Sequence, residues 1–139
     1  MTGSRIFLDT APLIYLLEDH PEFCHRVSDF LADAWQEDAV LQTSVLTFSE
    51  YCVQPLRKQE QHLVQGMEEW LINFDVSLTP ITRSIALAAA RLRAKYTFLQ
   101  GIDALQLAAA QEVQADIFYT NDRKLQRVEE LRVVLVTDL

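Results

Sequence analysis

Short apolar runs alternate with longer, helix-patterned segments along the whole chain, and this alternation limits the fold more than any other feature. Arg5–Asp9, Ala39–Thr43, Val76–Thr79, Ile117–Thr120 and Val133–Val136 read as strands. In the first of these, Ile6, Phe7 and Leu8 form a continuous apolar run suited to a buried strand. Between the strands lie segments of helical character: Pro12–Glu18, Glu22–Gln36, Val45–Val53, Leu56–Phe74, Ser84–Tyr96, Asp103–Val113 and Arg123–Leu131, with a break expected near Pro55. Phe23, Val27, Phe30, Leu31 and Ala34 keep helical spacing, as do Leu63, Met67, Trp70, Leu71 and Phe74. Strands alternating with helices imply an α/β fold, a three-layer α/β/α sandwich with a mainly parallel central sheet and right-handed crossovers. The 139 residues contain no linker, repeat or low-complexity segment, so a single domain over 1–139 is expected.

In open parallel sheets, ligands bind beyond the carboxyl ends of the strands, where helices begin. Acidic residues recur at those junctions. Asp9 follows the first strand, Glu50 lies early in the helix after the second, Asp103 opens an Ala/Leu-rich helix, and Asp122 follows Ile117–Thr120. Each has an ordinary explanation as a helix cap. Asp9 or Thr10 can cap the helix containing Pro12, Thr47 with Glu50 and Asp103 with Gln106 fit capping boxes, and Asn121 or Asp122 can cap the last helix. Taken jointly they mean more, because a parallel sheet gathers all four on one edge. Clustered carboxylates raise one another's pKa unless a cation neutralises them. Magnesium and manganese prefer such oxygen ligands, and a bound ion can activate water and stabilise charge developing on a phosphoryl group.

The other chemistries are poorly supported. Cys24 and Cys52 are too few for a disulfide framework or a zinc knuckle, and His20, His25 and His62 lack metalloprotease spacing. A phosphatase of the haloacid dehalogenase type wants a second aspartate two residues after the first, and position 11 is alanine. The net charge of −8 argues against coating nucleic acid by bulk electrostatics. Charge is uneven, however: Val76 to Ile102 contains no acid but holds Arg83, Arg91, Arg93 and Lys95, and Arg123, Lys124 and Arg127 form a second basic group. Such patches suit contact with a polyanion at one face. Arg91, Lys95 and Arg123 are the residues expected to steer such a polyanion. No apolar stretch reaches membrane-spanning length and Asp9 interrupts any secretory pattern, so a cytoplasmic protein without membrane association is expected.

Four segments, "FLDTAPLIYLLE", "TSVLTFSEYCVQPLR", "GIDALQLAAA" and "IFYTNDRKL", resemble the ordered motifs of the PIN domain family, most closely the VapC-type ribonuclease toxins of prokaryotic toxin–antitoxin pairs. The resemblance spans essentially the whole chain. It implies a metal-dependent endoribonuclease in which Asp9, Glu50, Asp103 and Asp122 form an acidic quartet binding Mg²⁺ or Mn²⁺. It also implies supporting roles for Thr10, Thr120 and Asn121 in orienting water or phosphate, a cognate antitoxin that occludes the site, and a homodimer. The alternatives are a non-catalytic PIN-like interaction protein and a housekeeping RNA-processing nuclease. Asp116, a further acid before the strand Ile117–Thr120, reads as a turn residue.

Overall fold

In the computed structural model, which describes residues 3–138, the strands are β1 Arg5–Leu8, β2 Val40–Ser44, β3 Ser77–Thr79, β4 Ile117–Thr120 and β5 Val133–Leu135. The helices are α1 Thr10–Leu17, α2 Cys24–Gln36, α3 Val45–Arg57, α4 Gln61–Asn73, α5 Arg83–Lys95 and α6 Gly101–Glu112. The five strands form one sheet in the order β3-β2-β1-β4-β5, and every neighbouring pair is parallel. The chain therefore builds outward from β1 through β2 and β3, then returns to add β4 on the other side of β1. That reversal puts the topological switch point between the carboxyl ends of β1 and β4.

Side-chain alternation divides the core in two. Ile6, Leu8, Ile117 and Tyr119 point to one face, where Leu13 of α1, Val27 and Leu31 of α2, Tyr51 of α3 and Met67 of α4 cover them. Phe7 and Phe118 point to the other, against Ile85, Ala89 and Leu92 of α5 and the Ala/Leu face of α6. Both faces are covered, which is why Ile6-Phe7-Leu8 carries no polar alternation. Phe7 and Phe118 stack across the β1–β4 pair with ring centroids 5.7 Å apart.

The helix ends explain where the observed boundaries depart from those expected. The chain has three glycines, and none closes a helix. Asp19, Asp38, Gln59, Asp75 and Gln114 instead take left-handed φ values of 50–59° just past α1, α2, α3, α4 and α6. In each case the next amide reaches back to the last turn, as in His20 N–H to the Tyr15 carbonyl and Val76 N–H to the Leu71 carbonyl, each closing a Schellman turn. Pro55 does not break the second helical region. It is buried within the last turns of α3, and its own carbonyl accepts the Glu60 amide, so the break falls at Lys58–Glu60. The helix expected over Arg123–Leu131 is only a 3-10 turn, Arg123–Arg127. Leu125 and Val128 must both be buried, and the chain must reach β5 within five residues of that turn. The remaining boundaries agree within one or two residues, the usual play at element ends.

Candidate active site

The switch point is where the polar residues collect. The Asp9 amide donates to the Tyr119 carbonyl at 2.9 Å, which fixes the chain as it leaves β1 beside β4. Asp9 then caps α1: its Oδ1 accepts the Thr10 amide at 2.8 Å. The capping role is thus real, but it uses only part of the carboxylate. Thr120, at the end of β4, donates its hydroxyl to Asp9 Oδ2 at 2.8 Å and accepts the Asp122 amide at 3.2 Å. Asp122 in turn caps the 3-10 turn by accepting the Lys124 amide at 3.1 Å.

The other two acids are not caps. Ser44 caps α3 through the Leu46 amide at 3.1 Å, which places Glu50 beyond the first turn with an exposed side chain. α6 starts at Gly101 with Gln100 at its cap, so Asp103 lies inside the first turn, where its charge suits the helix dipole. Gln106 makes no capping bond there. It is buried, and its amide reaches the opposite way.

Asp9, Glu50, Asp103 and Asp122 line one open cleft of about 620 Å³ together with Thr10, Thr120, Asn121 and Arg123. Ile14, Tyr15 and Ile102 form its apolar wall, and the Tyr15 hydroxyl accepts from Asn121 Nδ2 at 3.2 Å. Arg91 and Lys95, both on α5, are not among the cleft residues. Lys95 is engaged instead with Glu130 at 3.2 Å. Asp116 sits at the amino end of the sheet, where its Oδ2 accepts the Arg5 amide at 2.8 Å.

The electrostatics tie the acids together. Burial raises the Asp9 carboxyl above the ordinary carboxylate range and the charge of Asp103 adds to this, against hydrogen bonds from Thr10, Thr120 and Gln106. The Asp103 carboxyl is raised first by burial and then by Asp122, with Lys124 opposing and Glu50 adding. Asp103 is thus coupled electrostatically to the other three acids, and Lys124 offsets part of that repulsion. The donor set is entirely oxygen, which fits magnesium or manganese and not zinc. Among the described residues, no group of three or more His, Cys, Asp and Glu side chains is already drawn together to hold a metal ion.

Several residues of this site carried no signal of their own in the sequence. Gln106, Thr47 and Ser44 form a buried network behind Asp9, and each looks like an ordinary helix or cap residue until β1, α3 and α6 are brought together. Lys124 was legible only as one of a basic group.

A PIN domain family model matches residues 6–131 of the chain. No curated protein sequence is significantly similar to it. Among solved structures, a toxin–antitoxin complex from Klebsiella pneumoniae is 23% identical, with a TM-score of 0.74 over 94% of this chain and 97% of that one. FitAB bound to the IR36 DNA fragment is 22% identical, with a TM-score of 0.76 over 96% of each chain. The Sarcin-Ricin loop cleaving toxin VapC20 from Mycobacterium tuberculosis is 16% identical, with a TM-score of 0.70 over 91% and 98%. At these identities the likeness is one of fold. No helix among the described residues is long and apolar enough to cross a membrane.

Proposed function

Because the chain belongs to the PIN domain family, we propose that it is a metal-dependent endoribonuclease, the toxin of a toxin–antitoxin pair. The observation that carries this reading is the convergence of four acids from four separate segments on one cleft at the sheet's switch point. Asp9 and Asp103 would hold a magnesium or manganese ion most directly, and Glu50 and Asp122 would complete the pocket directly or through water. Such an ion, when bound, supplies the charge neutralisation and water activation that phosphodiester hydrolysis needs. Thr120 and the Thr10 amide hold the Asp9 carboxylate in place, while Asn121 and Arg123, on the cleft rim, offer donors to a phosphate. Arg91 and Lys95, outside the cleft, would meet RNA only away from the scissile phosphate. The products are expected to carry 5′-phosphate and 3′-hydroxyl ends.

The test is cleavage of a labelled mixed-sequence RNA pool with Mn²⁺ or Mg²⁺ and with EDTA. Discrete cleavage with the metal and none with EDTA is the expected outcome. Mn²⁺ binding without any RNA cleavage would instead favour the non-catalytic reading. Growth arrest on expression in the cytoplasm distinguishes a toxin from a housekeeping nuclease.

The partner reading has its own support. An apolar groove of about 580 Å³ runs between α1, α2 and α4, lined by Leu16, Leu17, Leu31, Trp35, Trp70 and Phe74. Trp35 is 43% exposed and packs edge-on against Phe74. α1 connects the two features, since it starts at Asp9 in the cleft and ends with Leu16 and Leu17 in the groove. An antitoxin segment seated here would bury these rings. Trp35→Ala should weaken capture of the protein encoded immediately upstream by about 30-fold, the scale of an aromatic hot spot. Calorimetric titration of the purified pair measures it, and unchanged affinity would remove the groove from the interface. A homodimer is also proposed; its test is the mass of the free protein in solution.

A further inference from the structure

We propose that Gln106 is the positioning residue that aims the Asp9 carboxylate into the cleft. This rests on the nuclease reading for its purpose, but on geometry for its content. Gln106 is fully buried on α6, among alanines and leucines where a polar side chain is costly unless satisfied. Every arm of its amide is used. Its Oε1 accepts the Ser44 hydroxyl, and its Nε2 donates to Thr47 Oγ1 at 2.7 Å and to Asp9 Oδ1 at 3.2 Å, with Thr10 Oγ1 at 3.4 Å.

The amide nitrogen faces Asp9 and Thr47 while its oxygen faces Ser44, an orientation that offers a donor to the carboxylate and an acceptor to the Ser44 hydroxyl. Ser44 is itself held by the Leu46 amide at the start of α3. A directed chain of donors therefore runs from the α3 backbone through Ser44 and Gln106 to the carboxylate. Gln106 and the Thr10 amide fix Oδ1 while Thr120 fixes Oδ2, so both the plane and the tilt of the carboxylate are set from behind. Groups that orient a metal ligand in this way change metal affinity or activity about 10–100-fold when removed. Gln106 touches neither substrate nor cation; it acts through Asp9.

The experiment compares the parent protein with Gln106→Met, which keeps length and apolar volume but has no donor. Three readouts are taken: the Asp9 orientation in metal-free crystals, Mn²⁺ affinity by calorimetry, and the steady-state constants for a short RNA. The expected variant has a displaced Asp9 carboxylate, about 10–100-fold weaker Mn²⁺ binding, and a lower kcat with KM unchanged. Should Gln106→Met fail to fold, Gln106→Leu is read in its place, because it too offers Asp9 no donor and suits the apolar neighbours of α6. An Asp9 carboxylate still in the parent orientation, or Mn²⁺ affinity equal to the parent's, overturns the proposal. A parent that binds no Mn²⁺ defeats the nuclease reading, and the Asp9 orientation in the variant crystals then decides the positioning role by itself.

Discussion

Asp9→Asn is expected to lower metal-dependent RNA cleavage by about two orders of magnitude or more, the consequence of losing a few kcal/mol of charge stabilisation. Its metal-free melting temperature should be unchanged or higher. The two halves of this result separate catalysis from capping. Asparagine caps a helix nearly as well as aspartate. Its oxygen can accept from the Thr10 amide and Gln106, and its Nδ2 can donate to Thr120 Oγ1, which has a lone pair to spare. What it lacks is the charge.

The pH dependence follows in sign. Burial raises the Asp9 pKa in the folded protein, so the fold favours the protonated form. That contribution to stability is full below the unfolded value of about 3.9 and is lost as pH rises through the higher folded value. The stabilisation by Asp9→Asn should therefore grow as pH rises from about 4 through the higher folded value, and level off above it. Thermal melts across that range, with and without Mg²⁺, alongside the cleavage assay, test all three expectations. An Asp9→Asn variant that cleaves like the parent would make Asp9 a cap and nothing more.

The largest effect on stability is expected at Phe7. Its side chain is completely buried and stacked on Phe118, with α5 and α6 packed against it. Phe7→Ala removes that stacking and leaves a cavity at the middle of the sheet, costing about 3–5 kcal/mol. Against a typical total of about 5–15 kcal/mol, this is a large share of the fold's margin. Urea unfolding should show a lower midpoint with an unchanged slope. A loss below about 1 kcal/mol would mean that α5 and α6 collapse to fill the space. Phe7 lies two residues before Asp9, so the variant that still folds should also bind metal less tightly, because the strand end that holds the carboxylate is less firmly fixed.

The sequence by itself determined the layer architecture and the acids that the cleft would gather. Ile6-Phe7-Leu8 is apolar at every position because both faces of β1 are covered, and that pattern is local to three residues. Asp9, Glu50 and Asp122 could be placed together because a parallel sheet sends every strand end to the same edge, whatever the strand order. Asp103, on a helix that follows another helix, is brought there by the packing of α6. The tertiary structure decided the rest. Helix ends were obscured because aspartate and glutamine, not glycine, adopt the left-handed turn at Asp19, Asp38, Gln59, Asp75 and Gln114, where the hydrogen bonds of each Schellman turn offset the cost of that φ. Pro55 stays inside α3 and is buried there, which local propensity alone argues against. The placing of Arg91 and Lys95 outside the cleft, and of Gln106 behind Asp9, also waited on the fold. Charge pattern tells which residues are polar, but only the packing of α6 against β1 and α3 tells which of them meet a carboxylate 97 positions away.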